Sequence, residues 1–302
     1  GGGGGGAGLD GAGGGGEVRA RVAGADGVME AGGSGAWRGG YATPAWYRSA
    51  GMWCSLLMAL APLTGMTQDG SAGERAVNWP GWRGPLGNGS APSATPPLEW
   101  SEDKNVRWKT ALPGAGHSSP VVWGQRIFVT AAIPVGEELP PVPDDAPGAH
   151  DNAPLTRKQR FVALCLDRAT GEILWQQTAR EILPQAGAHV SGTLASSSPV
   201  VDGEVFVAHF GSNGLFGYTH EGRLLWSRDL GQMQVKHGHG EGSSPVLHGQ
   251  TLVVNWDHEG ASFVVALNLS SGEELWRVER DEITSWASPA IAQVGEIGRA
   301  PG

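Results

Sequence analysis

The sequence predicts an all-β fold: a partial β-propeller of four-stranded antiparallel blades, about three of them plus the start of a fourth. Three observations carry this prediction. Ser-Pro pairs recur at Ser119-Pro120, Ser198-Pro199, Ser244-Pro245 and Ser288-Pro289, with prolines 79, 46 and 44 residues apart. A second landmark keeps phase with them: Gly171-Glu-Ile-Leu-Trp175, Gly222-Arg-Leu-Leu-Trp226 and Gly272-Glu-Glu-Leu-Trp276, whose tryptophans lie 51 and 50 residues apart. Finally, no stretch after Trp79 sustains an apolar period of 3.6, and Gly and Pro interrupt every window, so a helical repeat is excluded.

Each period divides into four short strands. In the third, residues 244–247, 251–256, 263–268 and 274–278 are β-branched or aromatic runs, separated by turns at His248-Gly249 and Ser270-Ser271-Gly272. Four strands per repeat of about 45–50 residues is the period of a propeller blade. One blade cannot bury both of its faces, so blades must stack. The wide first spacing comes from one insertion, roughly residues 133–160, rich in Pro and acid. Its acidic part, Glu137–Asp151, reads as a solvated loop between the second and third strands, of a length that often faces a partner. After Ala292 the text QVGEIGRAPG lacks the β-branched run a second strand needs, so residues 293–302 read as a truncated tail.

Ahead of the repeats the organisation changes. Residues 1–50 are Gly-rich and cannot bury enough apolar surface to offset their ordering entropy. They read either as a flexible tail or as translated upstream sequence, with Met29 or Met52 the true start. Residues 51–73 read as a signal peptide. Arg38 and Arg48 precede an apolar core from Met52 to Met66, and small and polar residues close it. The alternative is a buried helix. The core is too short to span a bilayer, so the chain is expected to be periplasmic or secreted and not an integral membrane protein after cleavage.

Composition excludes some partners. The formal net charge is −9, and the four lysines (Lys104, Lys109, Lys158, Lys236) form no basic run, which argues against nucleic acid. The two cysteines, Cys54 and Cys165, stand in neither a disulfide framework nor a metal spacing, and Cys165 reads as a small buried hydrophobe. One polar constellation stands out: His237-Gly-His239-Gly-Glu241-Gly before a first strand, and Asp257-His258-Glu259 after the second strand of the same blade. Strand order alone brings the two segments to one end of the blade. His237, His239, Glu241, Asp257 and His258 are therefore the candidate metal ligands, for Zn2+, Ca2+ or Mn2+. The alternative is ordinary loop chemistry, since the offsets of these and other histidines from their prolines follow no register. His117, His189 and Trp286 also precede first strands and face the same funnel.

The segments Ala163-Leu-Cys-Leu-Asp167-Arg-Ala-Thr170-Gly171-Glu-Ile-Leu-Trp175 and Ala266-Leu-Asn268-Leu-Ser-Ser-Gly272-Glu-Glu-Leu-Trp276 resemble the tryptophan-docking motif of the pyrroloquinoline-quinone-like (PQQ-like) propeller repeats. Tyr218-Thr-His-Glu-Gly222 shortens the turn in the middle copy. Asn78-Trp-Pro-Gly-Trp82 and Asn105-Val-Arg-Trp108 look like this superfamily's opening strands, so the resemblance spans about residues 78–292. It implies a ring of seven or eight blades, with Trp175, Trp226 and Trp276 each buried over the turn glycine of a neighbouring blade. It leaves two functions open. Quinoprotein dehydrogenases of the superfamily hold PQQ under a vicinal Cys-Cys pair, with a carboxylate base and Ca2+ beside it, and no Cys-Cys occurs in this chain. Non-catalytic members, the outer-membrane assembly propeller among them, scaffold proteins through blade faces and edges. The expectation is therefore a non-catalytic module with a protein partner. The alternatives are a fragment of a PQQ-dependent oxidoreductase or a propeller with a metal or small-ligand site.

Overall fold

The structure is a computed structural model that describes residues 18–21, 70–92 and 94–293. Three consecutive four-stranded sheets, each an antiparallel meander, account for most of it. Blade I contains β1 (Val121–Trp123), β2 (Arg126–Val135), β3 (Lys158–Asp167) and β4 (Ile173–Ile182). Blade II contains β5 (Val200–Val201), β6 (Val205–His209), β7 (Leu215–Thr219) and β8 (Leu224–Arg228). Blade III contains β9 (Val246–His248), β10 (Thr251–Trp256), β11 (Ser262–Asn268) and β12 (Glu274–Arg280). The partial propeller expected from the repeat period is the architecture observed. A fourth unit opens with Ala290–Gln293, which pairs antiparallel with Val18–Arg21. The rest of the Gly-rich segment, the proposed signal core 51–69 and most of the tail lie outside the described residues. Gly70–Ala76, at the end of the proposed signal, is helical. No helix among the described residues is long and apolar enough to cross a membrane.

Consecutive sheets stack face to face, which is how each buries its apolar sides. Between blades I and II, Phe128 and Phe206 stack with ring centroids 4.7 Å apart, and Phe161 packs on Phe210. Between blades II and III, Val205, Val207, Leu252, Val254 and Trp256 share one buried cluster. The first strands, β1, β5 and β9, lie side by side at the inner edge.

The two sequence landmarks turn out to be the joints between blades. A methyl group added at Gly222 would meet the Trp175 ring at 2.9 Å, and one at Gly272 would meet the Trp226 ring at 2.6 Å. Each indole therefore lies flat on the turn glycine of the next blade. Each also donates its N–H to a carbonyl of that turn, Trp175 to His220 O and Trp226 to Leu269 O, both at 2.8 Å. Trp108, ahead of blade I, repeats the arrangement on Gly171 and donates to Arg168 O. The three glycines have φ of +76°, +86° and +68°, a left-handed conformation that a side chain would strain. In the outer turns Asp167 Oδ1 accepts the Ala169 and Thr170 N–H groups, and Asn268 Oδ1 accepts those of Ser270 and Ser271. The Thr170 hydrogen bonds hold the Asp167 carboxyl below its usual range. Of the three tryptophans expected to be buried, Trp226 is buried, Trp175 is partly buried and Trp276 is exposed. Trp276 is 40% exposed, because no turn glycine of a following blade lies among the described residues to receive it.

The Ser-Pro pairs form a second joint. Ser198 Oγ accepts the Ser119 N–H, Ser244 Oγ accepts the Ser198 N–H, and Ser288 Oγ accepts the Ser244 N–H, at 2.8–2.9 Å. The hydroxyls thus run from blade to blade and satisfy N–H groups that enter the inner strands unpaired. The opening segment expected as a strand at Asn78–Trp82 makes only an isolated bridge, Trp79 to Val122.

Candidate functional site

In each meander the loop between second and third strands and the connection between blades emerge at the same end. Here that end carries the long insertion, whose acidic part, residues 137–151, is largely exposed as expected while its far end packs on the connections between blades. Asn152 and Ala153 pair with His189 and Ala188 in the connection between blades I and II. The Val190 N–H reaches Asp151 O at 2.8 Å, and the His189 N–H reaches His239 O at 3.3 Å. Asn152 Nδ2 donates to His237 O at 2.8 Å and to the Asp144 carboxylate at 3.0 Å. Three chain segments, 146–153, 187–192 and 236–240, are therefore knitted together. Between them and the blade ends lies an open cleft of about 920 Å³, with Pro141, Val142, Leu155, Phe210, Met233 and Val235 in its wall.

Four imidazoles meet where the segments cross. His150 lies 4.6 Å from His239 and 5.5 Å from His237 between ring centroids, and His237 lies 5.4 Å from His239. His189 is 4.9 Å from His239. Partial burial, then repulsion from His150 and His189, lowers the His239 pKa; a hydrogen bond with the His150 backbone opposes this. Nε2 of His239 and Oδ1 of Asn152 are buried without a hydrogen-bond partner.

Of the five sequence-derived candidates, only His237 and His239 belong to this cluster. Glu241 turns the other way: its carboxylate accepts the Ser212 N–H at 2.6 Å and the Ser212 hydroxyl, and it lies directly against Gly211. Burial pushes its carboxyl up to about 7, with the Ser212 hydrogen bonds pulling the other way. Asp257 is held by Arg280, Nε to Oδ1 at 2.8 Å, and by Asn255 at 3.0 Å. His258 is occupied by the backbone: Nδ1 receives the Gln234 and Gly260 N–H groups, and Nε2 faces Ala261 O. The two segments do meet at one end of blade III, where Glu241 and Asp257 line the same small crevice. What separates them chemically is that each acid already has a partner. Trp286 donates its indole N–H to Gly240 O at 2.8 Å and braces this loop.

Sequence reasoning missed His150 altogether and grouped His189 only by its position before a strand. His150 carried no signal, because nothing in a Pro- and acid-rich loop tells which way it folds. The thiol clamp of the quinoprotein enzymes has no counterpart among the described residues. Cys165 is fully buried in β3, and burial pushes its thiol up to about 11. The residues present do not fit that mode of holding PQQ.

No curated protein matches the chain. Similar solved structures include a europium-containing methanol dehydrogenase, at 12% identity and TM-score 0.36 over 57% of this chain and 26% of that one. The quinohemoprotein alcohol dehydrogenase from Comamonas testosteroni matches at 11% identity and TM-score 0.35, over 55% and 21% of the two chains. BamB from Moraxella catarrhalis matches at 13% identity and TM-score 0.26, over 50% and 51%. The chain thus spans about a quarter or less of the dehydrogenases and about half of that BamB. The family model described as outer membrane protein assembly factor BamB matches residues 98–292, well over half of the sequence, and the chain belongs to that family of PQQ-like propellers.

Proposed function

We propose that the chain is a non-catalytic protein-binding module of the cell envelope, which receives a polypeptide segment of its partner in the cleft beneath the insertion. The observation that carries this reading is the uninterrupted family match across residues 98–292, the stretch that contains both the three blades and the cleft. The cleft supports it. Its wall combines proline and aliphatic side chains with polar groups, a lining suited to burying a few apolar anchors of an extended chain. An envelope location rests on the reading of residues 51–73 as an export signal.

A photo-crosslinking amino acid at Gln234, in the cleft, tests this in the native envelope. A second at Glu204, in the β5–β6 turn at the opposite end of blade II, serves as control. The expected result is a discrete protein adduct from position 234 and none from 204. Equal labelling at both positions, or none at 234, overturns the reading. Dye-linked alcohol oxidation by the purified chain with added PQQ and Ca2+ would overturn its non-catalytic half.

A further inference from the structure

We propose that His150, His237 and His239, with His189 beside them, form a binding site for one divalent first-row transition ion, of the Zn2+ class, at the rim of the cleft. Imidazoles bound to one tetrahedral ion at about 2.0–2.1 Å put their ring centres about 5 Å apart. The three rings stand at 4.6, 5.4 and 5.5 Å, and His189 stands 4.9 Å from His239.

The tautomers of two of the rings also suit ligation. His237 Nδ1 lies 3.1 Å from Pro147 O, an acceptor, so Nδ1 carries the proton and Nε2 the lone pair. His150 Nδ1 lies 3.3 Å from Asp151 Oδ2, with the same consequence. A carbonyl or carboxylate on the outer nitrogen is how metal-bound imidazoles are oriented. His239 Nε2 is buried and unpartnered, with Asn152 Oδ1 in the same condition nearby. A buried nitrogen left without a partner is an unmet demand for one. His189 is the least suited as it stands, since its Nδ1 accepts the Ser191 N–H and lies 2.7 Å from Ser191 Oγ, which leaves the neutral ring's proton on Nε2.

The donor set selects the ion. An all-imidazole site suits Zn2+, Cu2+, Ni2+ or Co2+ and not Ca2+ or Mg2+, which take oxygen. Among the described residues no three metal-binding side chains are already arranged around one point, so the rings must rotate to close on the ion. The ligands come from three chain segments, so binding would clasp the insertion to the connections of two blades and fix the cleft wall. The site stands or falls independently of what the cleft receives.

The test uses the full chain without a His tag, titrated with Zn2+ and with Co2+ after chelator treatment and dialysis. The expected result is one equivalent of metal, a rise in melting temperature with Zn2+ and none with Ca2+, and the visible bands of tetrahedral cobalt. His150→Gln, in an exposed loop where folding is not at stake, should remove the bands, as should His239→Ala. Asp151→Asn should weaken binding about 10-fold through loss of the outer hydrogen bond. His117→Ala, outside the cluster, should leave binding intact. Absence of stoichiometric metal, equal stabilisation by Ca2+, or undiminished binding in both His150→Gln and His239→Ala overturns the proposal.

Discussion

Replacing Trp226 by Ala tests the joint between blades II and III where it is most completely formed. The side chain is 8% exposed and lies across Gly272 and Gly217. An indole buries roughly 200 Å². At about 25 cal/mol per Å² that is worth about 5 kcal/mol, and large-to-small aromatic replacements cost about 3–5 kcal/mol. The lost hydrogen bond also strands the carbonyl of Leu269, which is fully buried, for a further ~1 kcal/mol. Gly272→Ala attacks the same joint from the other side. Its new Cβ would stand 2.6 Å from the indole, at a φ of +68° that costs an L residue about 1–2 kcal/mol. In the double variant the ring is gone, so only the backbone strain of Gly272→Ala should remain. The two effects should therefore be sub-additive by about 1–2 kcal/mol. Trp276→Ala is the internal control: 40% exposed, with no glycine turn beneath it among the described residues, it should shift stability by under about 1 kcal/mol. Urea unfolding followed by far-ultraviolet circular dichroism reads all four variants. Strict additivity, or equal losses at Trp226 and Trp276, would refute the docking geometry.

Other consequences can be measured in the same way. The Glu241 carboxyl titrates at about 7 in the folded protein against 4.5 when exposed, so the folded state prefers it protonated. Its stabilising share is complete below pH 4.5 and is lost as the pH rises through about 7. Glu241→Gln should then match the wild type at pH 4.5 and exceed its stability at pH 8 by up to about 3 kcal/mol; a pH-independent difference would contradict this. Arg280→Ala leaves the Asp257 carboxylate, 1% exposed, without its cation and should cost about 3–5 kcal/mol in urea unfolding, part of it recovered by adding Asp257→Asn. The Cys165 thiol, fully buried and shifted up to about 11, should resist disulfide reagents in the folded protein and react once it is denatured; rapid native labelling would show that β3 opens.

The blades were legible because their signals are local and repeat. In the third unit the run 251–256 is the observed strand, and the other three differ from theirs by one or two residues at either end. The period also marked the tryptophans as joints, although the resemblance, and not the spacing, said what they sit on. It did not reveal that Ser119, Ser198, Ser244 and Ser288 link one blade to the next. A Ser-Pro pair reads as a strand opening, and only the stacking shows that its hydroxyl meets the N–H of the blade before it. Trp276 is exposed for a related reason. The burial of a docking residue is a property of the neighbouring blade, not of its own strand.

The histidine cluster shows where such reading stops. Had His237-Gly-His239-Gly-Glu241 been extended, alternation would have put both imidazoles and the carboxylate on one face, which is the arrangement a ligand set from this segment alone requires. The backbone breaks that alternation. His237 itself has φ +58°, Gly238 +66° and Gly240 +86°, and a short 3-10 turn runs over Lys236–Gly238. The reversal sends the imidazoles toward the insertion and leaves Glu241 pointing at Ser212. The glycines make this affordable in space as well, because a Cβ at Gly238 would strike Asn152 and Asp144, and one at Gly240 would strike Ala188, all within 3 Å. Close approach of three loops, not spacing along one of them, is therefore what assembles the cluster. The partners of His239 stand 89 and 50 residues away in the chain, at His150 and His189. A motif search confined to one segment finds the right histidines with the wrong companions. The contacts that could have corrected it are backbone hydrogen bonds between loops, and those leave no periodic mark in a sequence.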